Sequence, residues 1–276
     1  MIQRYPLKIY ENPEFKSPSL IVCWRQDAGM LSPGVMRFLK NRLHAEVFCE
    51  IEPLFFSSFG GVSVEDDIIQ YPESKFYYCE QKNVVLFESN APAHDHYEFL
   101  AAVLRVAQRF CNVKELFTIG AIVSLKSHTT PSQVLAVVNR PELKQTLVGY
   151  GVDLNANYKT PHGGRPTLSS YLLWLARKRS IAGISLWGEV PFYLSAADDP
   201  RSCKRMLEFL NERLGLGLDI MALDLEIKNQ DCRIEELSNQ NPEIVKYINM
   251  LERGIMLSES ESEDLVETIT SFLKEG

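Results

Sequence analysis

The sequence predicts an α/β protein: a three-layer sandwich with a mixed central sheet and a helical C-terminal extension. Three observations predict it. Near-continuous apolar runs such as Leu116–Val123 suit central strands covered on both faces. Segments of helical periodicity alternate with these runs, the order expected of helices layered on a sheet. After about residue 217 the strand-like runs stop and only helical periodicity continues. Residues 1–217 are therefore expected to form the α/β core and 218–276 the extension, a size suited to one domain with an appendage.

Each element has its own signal. The strand candidates are Ser19–Trp24, Ala45–Ile51, Lys75–Glu80, Asn83–Glu88, Leu116–Val123, Gln133–Val138 and Ala182–Trp187. Only Gln81-Lys82 separates the third from the fourth, which predicts a tight hairpin and hence a sheet that is not wholly parallel. A helix fits Pro33–Leu43. Asp95, three residues before Glu98, reads as a capping-box variant ahead of the stripe Phe99, Val103, Ala107 and Phe110. Leu168, Tyr171, Leu172 and Leu175 form a second stripe. Asp199-Pro200 places a cap before a first-turn proline; Cys203, Met206, Leu207, Leu210 and Leu214 follow on one face, and Gly215 closes the helix. In the extension, Glu243–Ile248 with Leu251 reads as one amphipathic helix and Asp264–Lys274 as another. The acidic serine run Ser258–Asp264 between them suits an exposed linker and helix start.

Composition narrows the function classes. The chain is 45% hydrophobic and 24% charged, as soluble globular proteins are. A net charge of -7 argues against a general nucleic-acid binder, which needs a cationic face. Arg177-Lys178-Arg179 is the one tight cationic run and reads as a solvated helix end. No stretch approaches the ~20 apolar residues of a membrane span, and the N-terminus has no signal pattern, so a cytoplasmic protein without a membrane partner is expected. The six cysteines have no C-x-x-C spacing, and most lie in apolar runs, as buried reduced thiols do.

Several residue patterns bear on chemistry. Gly183-Ile184-Ser185-Leu186-Trp187 approaches the serine-nucleophile turn but ends in tryptophan, so Ser185 reads as a strand residue. There is no P-loop and no G-x-G-x-x-G, and Gly215-Leu216-Gly217 ends a helix. His94-Asp95-His96 are sequence neighbours, which rarely converge on one metal; no metal or cofactor is expected. Glu65-Asp66-Asp67 reads as a solvated loop. Gly163-Gly164, ahead of a helix, could hold an anion on free backbone N–H groups or serve turn geometry alone. His128 ends an apolar strand in Ser124–Pro131, the edge where α/β ligand sites cluster, yet it has no sequence-local carboxylate or thiol to activate.

Gly120-Ala121, then His128-Thr129-Thr130-Pro131, then Leu186-Trp187-Gly188-Glu189-Val190-Pro191-Phe192-Tyr193 occur in that order. This series resembles the proteasome assembly chaperone 2 family of bacteria and archaea. There a Leu-Gly-Ala strand end precedes a His-Thr-Arg-Pro loop, and a Leu-Trp strand leads into Val-Pro-His-Tyr. Cys23–Gly29 resembles that family's Gly-Trp…Ala-Gly start, Glu52–Phe59 its Glu-x-Phe-Tyr-x-Phe segment, and Pro161–Gly164 falls at its Gly-Pro-Ser-Gly-Ile loop. The resemblance spans roughly residues 18–225. Thr130 replaces the family's arginine and Phe192 its histidine, which removes a cation and an imidazole. Some archaeal relatives dock through a C-terminal hydrophobic-tyrosine-any tripeptide; this chain ends Lys274-Glu275-Gly276, so docking by that route is not expected.

The resemblance implies a phosphorylase/hydrolase-like fold, a homo-oligomer (trimer or tetramer) and proteasome-like or other protein partners. It implies no enzyme activity. The first reading is thus a non-catalytic assembly factor with His128, Thr129, Glu52, Trp187, Glu189 and Pro191 at a pocket or interface. The alternative is a hydrolase or nucleoside-phosphorylase-like enzyme using His128, Glu52 and Glu189, with Gly163-Gly164 as its anion loop. The two differ in whether these residues meet in one concave pocket.

Overall fold

A computed structural model describes residues 7–57, 62–65, 67–157 and 166–274. The strands are β1 (Leu7–Ile9), β2 (Ser19–Trp24), β3 (Glu46–Ile51), β4 (Ser63–Glu65), β5 (Ile68–Gln70), β6 (Ser74–Cys79), β7 (Val84–Ser89), β8 (Glu115–Ser124), β9 (Val134–Val138) and β10 (Ala182–Pro191). The helices are α1 (Leu31–Leu43), α2 (His96–Arg105), α3 (Leu168–Lys178), α4 (Pro200–Leu214), α5 (Ala222–Gln240), α6 (Pro242–Glu252) and α7 (Glu259–Lys274). Eight strands form one sheet in the order β1-β3-β6-β7-β2-β8-β10-β9, and β4 and β5 form a separate ribbon.

Strands β7, β2, β8 and β10 run parallel at the centre, whereas β6, β9 and β1 pair antiparallel. Side-chain alternation divides the sheet between two cores. Ile21, Cys23, Phe117, Ile119, Ile184 and Leu186 pack with α1 and α4 on one face. Leu20, Val22, Leu116, Val85 and Phe87 pack with α2 and α3 on the other. This is the expected three-layer α/β arrangement with a mixed sheet. Leu223, Ile234, Ile244, Leu251, Leu265 and Ile269 of α5–α7 join the α1/α4 core, so the extension shares that apolar cluster.

Several local expectations need correction. The β6–β7 turn spans 80–83, because Cys79 pairs Val84; Asn83 takes a left-handed φ of 50° and its N–H reaches the Glu80 carbonyl. Asp95 does not cap α2. It too is left-handed, with φ 51°, and its carboxylate lies 2.9 Å from His94 Nδ1 instead. After Arg105 the helix widens to π spacing over Val106–Phe110, which rotates Phe110 out of the stripe and into solvent. Glu65 lies in strand β4, not in a loop. Cys232 is exposed on α5, unlike the five other cysteines. Strand β1 and helix α5 had no individual signal.

Candidate functional site

The chain builds β2, leaves for the β7 side of the sheet, and returns across to β8. The reversal point lies outside the carboxyl ends of β2 and β8, the usual place for a site in such sheets. Two segments meet there: Arg25–Met30 after β2, and Leu125–Pro131 after β8. The continuation of β10 through Pro191 into a 3₁₀ turn, Phe192–Leu194, completes the edge.

Gly29 holds these pieces together. Its N–H donates to the Ser195 carbonyl and its own carbonyl accepts from Asp199 N–H. Its φ is +67°, and an added Cβ would lie 2.7 Å from Val190 Cγ1, so only glycine fits. Asp27 then serves α1 from outside the cap position. Its carboxylate accepts the Ser32 N–H at 3.0 Å and the Ser32 hydroxyl, which also reaches the Ile119 carbonyl at 3.1 Å. Asp199 repeats the device on α4. It accepts the N–H groups of Arg201 and Ser202, and Ser202 Oγ bonds it at 2.6 Å while touching the Glu189 carbonyl. Burial pushes both carboxyls above their ordinary range, against these hydrogen bonds.

His128 is buried beneath this edge. Its backbone N–H donates to Tyr193 Oη at 2.6 Å, and its ring Nδ1 lies 2.7 Å from the same oxygen. Burial lowers the His128 pKa and so favours the neutral imidazole, opposed by Asp231 and Glu252 and aided by Arg201. Burial raises that of Tyr193 to about 12.

The sequence-selected residues divide. Pro191 and Glu189 line one narrow cleft with His128. Thr129 is exposed beside it and donates to Glu252 Oε1 of α6 at 2.7 Å. Glu189 is ion-paired to Lys126 at 2.7 Å, and its carbonyl accepts from Ser132 and Ser202. Trp187 lies further back on β10, its indole N–H on Ser185 Oγ at 2.8 Å. Glu52 follows β3, four strand spacings from β8, roughly 19 Å at ordinary strand separation. Gly163 and Gly164 lie outside the described residues. Thr130 lines the cleft where an arginine was expected from the resemblance. Phe192 packs edge-on against Tyr193 at 5.3 Å. Open space in the cleft is about 10 Å³, room for barely one water. Lys126, Arg201, Ser202 and Glu252 carry no signal in the sequence, and Tyr193 carries one only through Val190-Pro191-Phe192-Tyr193.

Sequence comparison decides the family: the PAC2 family model matches residues 25–238. This chain belongs to the PAC2 family. No curated protein matches its sequence. Among solved structures, this PAC2 protein resembles Mycobacterium tuberculosis Rv2714, of unknown function, with TM-score 0.77 and 18% identity over 97% of each chain. It resembles Pyrococcus furiosus PbaB, described as an archaeal proteasome activator, with TM-score 0.67 and 23% identity over 84% of this chain and 98% of that one. A proteasome-assembly chaperone homologue of Mycobacterium tuberculosis, Rv2125, gives 0.69 and 18% over 83% and 99%. These likenesses establish a shared fold. The PAC2 match ends at residue 238, so helices α6 and α7 lie beyond it.

Proposed function

We propose that this PAC2 protein is a non-catalytic assembly factor that works through protein surfaces, as a homo-oligomer of three or four copies and on proteasome-like or other protein subunits. Family membership supports the class of activity. The observation that carries the reading is the state of the strand-end edge. Its polar groups are spent on one another, Tyr193 with His128, Asp199 with Ser202 and Glu189 with Lys126, around a cleft with room for barely one water. A substrate pocket needs on the order of 300 Å³ or more and free groups to act on it. The grouping of His128, Glu52 and Glu189 that the enzyme alternative requires spans five strand spacings of the sheet, from β3 to β10. We assign no catalytic residue.

In this reading residues 1–217 carry the shared core, and 218–276 are an extension laid against the loop that holds His128 and Thr129. The interaction surface is the edge around His128, Thr129, Glu189 and Pro191, with Leu125 exposed beside them. Trp187 and Glu52 would contribute only at its margins.

The test is affinity capture from the source cell with mass spectrometry, beside light scattering for the solution mass. Co-purification of a proteasome-like subunit that weakens several-fold in Leu125→Asp supports the reading. A monomer in solution with the same background proteins captured by the wild type and the variant would overturn it.

A further inference from the structure

A cavity of about 370 Å³ adjoins the His128 cleft at Asp199, which lines both, and lies between α1, the start of α4 and the start of α5. Its size is that of small-molecule sites. Gly34 forms part of the wall in the interior of α1, where glycine weakens a helix. Its φ is not among the positive ones, and an added Cβ would meet only Cys203 Sγ at 3.4 Å, an ordinary contact. Packing therefore tolerates alanine at 34.

The walls are oppositely charged. Arg37 and Arg42 come from α1, and Asp198, Asp199 and Glu226 from the α4 and α5 side, Asp199 being engaged by Arg201 and Ser202. Arg37 and Asp198 pair with each other at 3.5 Å. Arg42 lies over the Phe38 ring at 5.4 Å, and neither it nor Glu226 has an ion-pair partner among the described residues. The lining thus includes an unpaired cation and an unpaired anion, both on exposed residues, with Phe38 and Leu223 among its apolar members.

We propose that this cavity binds a small zwitterion with an apolar body, of the free amino acid or dipeptide class. Arg42 receives its carboxylate, Glu226 its ammonium group, and Phe38 with Leu223 its side chain. Because Leu223 and Glu226 belong to α5, the ligand would bridge the core and the extension, a role that goes beyond assembly through surfaces.

The test is calorimetric titration of the full chain with leucine and with leucyl-phenylalanine, which separates the two sources. N-acetyl-leucine lacks the ammonium group and leucinamide lacks the carboxylate. Saturable binding of a zwitterion, at least ten-fold weaker for both blocked forms, is expected. Glu226→Gln should erase the difference between leucine and N-acetyl-leucine, and Arg42→Gln that between leucine and leucinamide. Gly34→Leu, which fills the space, should abolish binding, and Gly34→Ala should keep it. If Gly34→Leu does not fold, the two charge variants decide. No saturable heat at millimolar zwitterion, or equal affinity for blocked and unblocked forms, overturns the proposal.

Discussion

Tyr193 Oη serves two buried partners on one residue, the backbone N–H and the Nδ1 of His128. Removing it leaves both unpaired in the interior, so Tyr193→Phe is expected to cost about 1–3 kcal/mol, measured by urea unfolding. His128 adds a pH dependence. Burial holds its folded pKa below the ordinary 6.5, so the unfolded chain binds the proton first. The stability it contributes is present above pH 6.5 and is lost as pH falls toward the folded value. Unfolding midpoints from pH 7.5 to 5 should fall less steeply in His128→Gln than in wild type. Gly29→Ala meets both a positive φ and the Val190 side chain, and should destabilise by more than about 1 kcal/mol in the same assay. The candidate site was legible at this scale only in part. His128 stands out because it follows a strand end, and Glu189 and Pro191 because they belong to the ordered motif Leu186–Tyr193, which also holds Tyr193, while Ser202 and Glu252 reach the site from helices with no pattern to mark them.

Elements with strictly local signals form where the sequence predicts them. Asp199-Pro200 caps α4 and Gly215 ends it with a φ of +61° because both devices act within a few residues. Asp95 misled because the same residue type also favours a left-handed turn, and the neighbouring His94 engaged its carboxylate. Helix α5 was not separately readable, since only Leu223, Ile234 and Leu237 are buried along its 19 residues. Helix α7 shows the opposite case: Leu265 and Ile269 are fully buried in the core cluster that includes Tyr193 and Leu194. Ile269→Ala should cost about 2–5 kcal/mol, and hydrogen exchange should show the loss centred on α7 and the Phe192–Leu194 turn.

At the scale of the whole molecule, α5–α7 complete a core that α1 and α4 begin. A chain ending at residue 240 would uncover Tyr193 and Leu194, and is expected to bind a hydrophobic dye and lose cooperative thermal unfolding by circular dichroism. A truncated chain that melts like the full one would show that α6 and α7 add nothing to the core. The sequence by itself determined the α/β class, the seven longer strands, the burial of alternate side chains, the start and end of α4, and membership of a family with an ordered motif set. These depend on local dihedral preference and on apolar periodicity, which are written into neighbouring residues. Tertiary structure alone decided the rest. Strand order sets Glu52 four strands from His128, and helix packing brings Glu252 to Thr129 and places Arg42 and Glu226 on the lining of one cavity. Those meetings depend on pairing and packing between residues far apart in the chain, which no local pattern records.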